Sequence, residues 1–205
     1  MEQHYIYLVC SATPYLMGKM IRRVTGEQYN HISVALDEDL DRMYGFSRRF
    51  YRTPLYGGFN HESRARYRIG DRNAQIQVYR IPVTQEQHAA LTARMADMYS
   101  RKHHYLYNHL SALCTLLHTP VKARDAYTCV EFGVEILHSI GISVTPGIYY
   151  SIADVQKVLH PYLFCTGPMI PSDKMEAGYF ETAPLPYFFI TLRDMLRLIP
   201  RICAK

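Results

Sequence analysis

The chain reads as α+β, with an antiparallel sheet and most of its helices in the second half. Two patterns carry that assignment. The run His31-Ile32-Ser33-Val34-Ala35-Leu36 alternates strictly, then meets the acidic turn Asp37-Glu38-Asp39, and Arg42–Ser47 follows as the returning strand of a hairpin. Thr84, Thr128 and Ser151 each stand three residues ahead of Gln87, Glu131 and Asp154, the spacing of a helix N-terminus.

Taken in order, Ile6–Val9 is a short buried strand. Thr13-Pro14 has the chemistry of an N-cap and first helical position. Leu16, Met17, Met20, Ile21 and Val24 mark one face of the helix that follows, closed by Gly26. On the His31 strand, Ile32, Val34 and Leu36 face one side, and His31, Ser33 and Ala35 face the other. Residues 48–72 are rich in Arg, Tyr and Gly, include Gly57-Gly58 and show no period, so a long loop is expected. Gln75–Ile81 is a further strand. Thr84 opens a helix with His88, Leu91, Met95 and Met98 on one face, and Leu106, Leu110, Leu113 and Leu117 define another, broken by Pro120. Val130, Val134 and Leu137 give the helix after Thr128 its apolar period, and Gly141 supplies its stop. Ser151 begins a short helix carrying Val155, Val158 and Leu159. The tail alternates Pro-rich loop (Pro168, Pro171, Pro184, Pro186) with a terminal helix from Thr191.

A length of 205 residues suits a single domain, with a core over about 5–160 and a C-terminal extension over 161–205. Hydrophobic content of 48% and charged content of 20% are those of a soluble globular protein. The five cysteines (Cys10, Cys114, Cys129, Cys165, Cys203) are odd in number and dispersed, which points to reduced thiols in a cytoplasmic protein. No Cys-x-x-Cys is present, so a zinc finger is excluded. Cys114 and His118 share a helical face but lack a third ligand, so no metal and no cofactor is expected. The N-terminal run has no basic region ahead of its short apolar stretch, and no stretch nears the roughly 20 residues of a membrane span, so neither a secretion signal nor a transmembrane helix is expected. The net charge of +5 is mild, with a local surplus from Arg48-Arg49 to Arg72. That segment is expected to be a solvated loop; an anionic membrane surface is the partner it would suit, and nucleic acid is not expected.

Cys129 is the most informative residue. It falls in the first turn of the helix capped by Thr128 and Glu131, where unpaired N–H groups and the helix dipole favour a thiolate. A buried structural cysteine is the competing interpretation. A thiolate catalyst needs an imidazole in reach. Among the ten histidines, His103, His104, His109 and His118 lie in or beside the Leu106–Leu117 segment, and His88 lies on an apolar helix face. His31 differs, because it begins a strand and faces away from the Ile32/Val34/Leu36 row.

Tyr29–Asp37, Met43-Tyr44-Gly45-Phe46-Ser47-Arg48, Gly57-Gly58-Phe59 and Thr128-Cys129-Val130-Glu131-Phe132 together resemble the circularly permuted papain-fold proteins. That superfamily includes the bacterial NlpC-type cell-wall cysteine peptidases and the lecithin–retinol acyltransferases. In its permuted members the histidine strand precedes the cysteine helix, as His31 precedes Cys129 here. The resemblance implies a permuted papain-like fold with Cys129 as nucleophile, His31 as general base and a polar third residue on the strand after the histidine strand. Ser47 is the choice for that third position, with Tyr44 and Asn30 behind it. None of them is the carboxylate, Asn or His usual there, while Glu131 is already used as a cap. The implied activity is cleavage of an amide or ester bond, in a peptide or acyl-containing substrate, through a thioester. A silent papain-like cleft that binds lipid or peptide stays open as an alternative, as does a peripheral membrane protein using residues 48–72 and Thr191–Ile202.

Overall fold

The computed structural model describes residues 3–115, 121–146, 149–170, 172, 178–183 and 186–203. Leu117, His118, Pro120, Pro171 and Pro184, and with them the break at Pro120 and the Cys114–His118 pair, lie outside the described residues.

The first half holds β1 (His4–Ala12), α1 (Leu16–Thr25), β2 (His31–Ala35), β3 (Met43–Arg48), β4 (Gly57–Glu62), β5 (Arg68–Ile69), β6 (Arg72–Asn73) and β7 (Gln75–Val83). The second holds α2 (Gln85–Ser100), β8 (Leu106–Tyr107), α3 (His109–Thr115), β9 (Ala126–Tyr127), α4 (Cys129–Ser139), α5 (Ile152–Leu159), β10 (Leu163–Pro168), α6 (Tyr187–Leu196) and α7 (Ile199–Cys203). The class is α+β. The main sheet has eight strands in the order β10-β7-β1-β2-β3-β4-β8-β9, with β5 and β6 forming a separate ribbon. Its pairings are antiparallel except β8 with β9, which run parallel, so the sheet is mixed rather than purely antiparallel.

The sheet is buried on both faces. Ile32, Val34, Phe46 and Phe59 pack with Met95, Phe132, Leu137 and Val155 of the helices on one side. Ala35, Met43, Val9 and Val78 pack with Tyr67 and Met169 on the other. All five residues of β2 are therefore buried, although alternation alone marks a half-buried strand.

Local chemistry explains most element boundaries. The Asp37 carboxylate accepts from the backbone N–H of Asp41 (2.8 Å) and Arg42 (3.0 Å), which fixes the turn into β3. Capping boxes are complete at Thr84, Thr128 and Ser151.

Four expectations are corrected. Residues 48–72 are not one long loop: β4, a 3-10 turn at Arg64–Tyr67 and the β5–β6 ribbon lie within them. β4 carries no apolar alternation to mark it, because two glycines open it and Asn60-His61-Glu62 are polar on both faces. The helix expected from Leu106 begins only at His109: Leu106 pairs with Gly58 and Ala126, and Asn108 Oδ1 accepts from the Ser111 N–H (3.0 Å) as a cap. α1 starts at Leu16 with Tyr15 at its N-cap, because the Thr13 hydroxyl and N–H are already bonded to the Asn30 side chain. Cys165–Pro168, expected in a loop, belongs to edge strand β10, where Pro168 sits at the end.

Among the described residues no helix is long and apolar enough to cross a membrane.

Candidate functional site

α4 sets the position of Cys129. The Thr128 N–H donates to Glu131 Oε2 (2.7 Å) and the Glu131 N–H donates to Thr128 Oγ1 (3.2 Å), so the first turn is locked from both ends. Glu131 Oε1 also accepts from the Ser111 hydroxyl (2.5 Å), which ties α3 to the same turn. Cys129 is the first residue of α4 and 7% exposed. The helix seats on β2 through Gly133, where a Cβ would stand 2.9 Å from Ile32 Cγ2. That close approach brings the helix N-terminus to the start of β2, where Cys129 and His31 line the same cavity and the Cys129 sulfur bears on the His31 ring.

On its other side His31 Nε2 lies 3.1 and 3.0 Å from the two carboxylate oxygens of Glu62. Glu62 Oε2 also accepts from the Ser33 hydroxyl (2.6 Å) and the Tyr67 hydroxyl (2.6 Å), and both donors are buried. Burial alone would favour neutral forms for both partners. The pairing overrides it. Desolvation opposes the charge on His31, but the Glu62 carboxylate, which accepts from the ring, and the neighbouring Cys129 sulfur push its pKa well above the ordinary imidazole value. Desolvation likewise opposes the carboxylate, yet the His31 charge and hydrogen bond, with help from Arg66 and Ser33, hold Glu62 well below the usual carboxylate range. The pairing therefore favours the imidazolium–carboxylate form of His31 and Glu62.

Ser47 is not part of this chain. It lies on β3 in the same face of the sheet as Glu62, but its Oγ accepts from Arg66 Nη1 (2.8 Å) and from Asn60 Nδ2 (3.4 Å). Tyr44 stacks on Phe59 on the opposite face, and Asn30 binds Thr13 and Arg22. The carboxylate on His31 comes one strand further out. It reaches across β3 because position 45 is glycine: a Cβ there would be 3.1 Å from Glu62 Oε1. Nothing in the sequence singles out Glu62, which ends the polar run Asn60-His61-Glu62 inside a segment without period.

Cys129, His31 and Glu62 open onto a cavity of about 470 Å³. Tyr107 forms part of its wall, and burial, followed by the neighbouring Cys129 and Glu131, keeps its hydroxyl protonated. His109 is also on the wall; burial lowers its pKa, so it lines the cavity as a neutral ring. A more polar flank holds Arg48, whose guanidinium lies 3.7 Å from the Tyr15 ring centroid and donates from Nε to the Tyr179 hydroxyl (2.8 Å). The rim is apolar, with Met17, Ile21, Leu55, Leu113 and Met195. Among the described residues no three His, Cys, Asp or Glu side chains cluster as metal ligands. Of the remaining described thiols, Cys10 is fully buried with its pKa raised by desolvation and then by the nearby Cys129, Cys165 is exposed on β10, and Cys114 is on α3.

No family model matches the chain, and neither a curated protein nor a solved structure is similar to it.

Proposed function

We propose that the chain is a cysteine hydrolase of the permuted papain-like kind, cleaving an amide or ester through an acyl-thioester on Cys129. One observation carries this proposal: Cys129 and His31 line one cavity large enough for a substrate, and His31 Nε2 is paired there with a buried, ionised carboxylate. In the reactive state the Cys129 proton already rests on His31, leaving a thiolate, and Glu62 stabilises that imidazolium while fixing the ring's orientation. The Cys129 sulfur bonds to the substrate carbonyl carbon, and the first-turn N–H groups of α4 face the oxyanion that develops. The carbonyl re-forms, the bond to the leaving amine or alcohol breaks, and His31 returns its proton to that group. Water, deprotonated by His31, then attacks the thioester and releases acid and free thiol. The apolar rim favours a substrate with an acyl chain over a highly charged peptide.

The test is iodoacetamide alkylation followed by mass spectrometry, together with turnover of acyl esters and amides. Cys129 is expected to react about 100-fold faster than the exposed Cys165, and His31→Ala is expected to abolish that advantage. Turnover should vanish in Cys129→Ala. Equal alkylation rates at Cys129 and Cys165, with no turnover of any acyl substrate, would leave a silent binding cleft in place of an enzyme.

A further inference from the structure

α1 turns its apolar face outward. Gly18 is its one buried residue, while Leu16 (75% exposed), Met20 (57%) and Val24 (64%) point to solvent. The cause is Gly18 itself, which packs so closely that a Cβ would meet Thr13 Oγ1 at 2.2 Å and Asn30 Nδ2 at 2.9 Å. The helix is thereby held on its small-residue side. The same exposure recurs in Leu55, in Leu113 of α3, and in Phe188, Phe189, Leu192 and Leu196 of α6. These segments are neighbours, because Met17 and Ile21 of α1, Leu55, Leu113 and Met195 of α6 all line the Cys129 cavity, and all of them but Met195 are exposed.

We propose that this rim is a docking surface for an anionic lipid bilayer, with the mouth of the Cys129 cavity at its centre. The charge around the rim selects the occupant. Lys19 and Arg23 of α1, Arg52 beside Leu55, and Arg193 of α6 are exposed among the apolar side chains. Across residues 16–25, 48–55 and 187–203 the one acidic residue is Asp194, already bridged to Arg193 and Arg197. A second copy of the chain would bring like charges face to face, whereas anionic headgroups would be attracted by them. Large apolar side chains interleaved with Lys and Arg on short helices suit shallow insertion at a bilayer surface. The proposal rests on the exposed rim and does not depend on the chemistry at Cys129.

Sedimentation of the full chain with phosphatidylcholine vesicles, with and without phosphatidylglycerol, tests it. The chain is expected to pellet with the phosphatidylglycerol vesicles, to remain free with phosphatidylcholine alone, and to be released by high salt. Met20→Glu combined with Val24→Glu, at exposed positions that leave the melting temperature unchanged, should weaken binding by at least about tenfold. Cys129→Ala should bind like the parent, which separates loss of docking from loss of catalysis. Absence of binding at low salt would overturn the proposal, as would equal binding by the double variant. A parent dimer converted to monomer by the same two substitutions would also overturn it, in favour of self-association.

Discussion

A Cβ placed on Gly45 would lie 3.1 Å from Glu62 Oε1 and 3.3 Å from the carbonyl oxygen of Ile32. The bare backbone of β3 is the passage through which a carboxylate on β4 reaches an imidazole on β2, and the Ser33 and Tyr67 hydroxyls leave that carboxylate little room to retreat.

Gly45→Ala is therefore expected to displace Glu62 while leaving the hydrophobic core intact. A shift of well under 1 Å at a positioning group suffices to slow Cys129 alkylation by about 10- to 100-fold. Alkylation kinetics beside a melting curve would check this. An unchanged rate would mean that Glu62 does not orient His31.

Glu62→Gln keeps the shape and removes the charge. The Glu62 charge is the largest influence raising the His31 pKa, so the ring is expected to titrate at lower pH in the variant than in the parent. Proton NMR of the His31 ring reads this directly. A midpoint that stays put would show that the raised affinity for a proton comes from elsewhere.

Stability should depend on pH at both ends of the range. Glu62 is depressed in the folded state, so its contribution is present above the unfolded carboxylate value of 4.5 and is lost as pH falls below it. His31 is raised, so its contribution is fully present below the unfolded value of 6.5 and is lost as pH rises through its higher folded value. Melting temperatures across acid, neutral and alkaline buffers should show a neutral-to-acid plateau with a fall on each side. In Glu62→Gln both falls should flatten, and two unaltered limbs would refute the assignment.

At Gly133 two effects oppose one another. Alanine would gain about 1 kcal/mol of helix propensity, while forcing Cβ to within 2.9 Å of Ile32 Cγ2 costs about 1–3 kcal/mol of overpacking. The crowding is expected to win, and more clearly with Gly133→Val, which gives up the propensity gain. Denaturant titration should show Gly133→Val destabilised, with part of the loss recovered when Ile32→Ala is added. A double variant no more stable than additivity allows would argue against the contact.

Much of this architecture can be read from residue patterns. The capping boxes at Thr84, Thr128 and Ser151 locate three helices, because a side chain within four residues satisfies each end locally. The His31 strand and its hairpin are legible for the same reason, since the Asp37 turn is a short-range device. Cys129 and His31 stand out from their positions on those elements, and the structure brings them together. Glu62 does not stand out. Its strand opens on two glycines, and its link to His31 depends on an empty position in a third strand, a relationship with no signature along the chain. Ser47 lies on the correct face, but Arg66, brought back by the 3-10 turn, takes its hydroxyl. The outward face of α1 was equally hidden, because amphipathic spacing shows that a helix has an apolar side and not where that side points.

The late arrival of the thiol has a consequence for how the protein is made. Residues 31 to 62 leave the ribosome first, so the imidazole and its carboxylate are synthesised well before Cys129 exists. A chain that stops short of α4 holds His31 and Glu62 without Cys129. In the folded protein Cys129 comes to that pair on α4, whose Gly133 rests against Ile32.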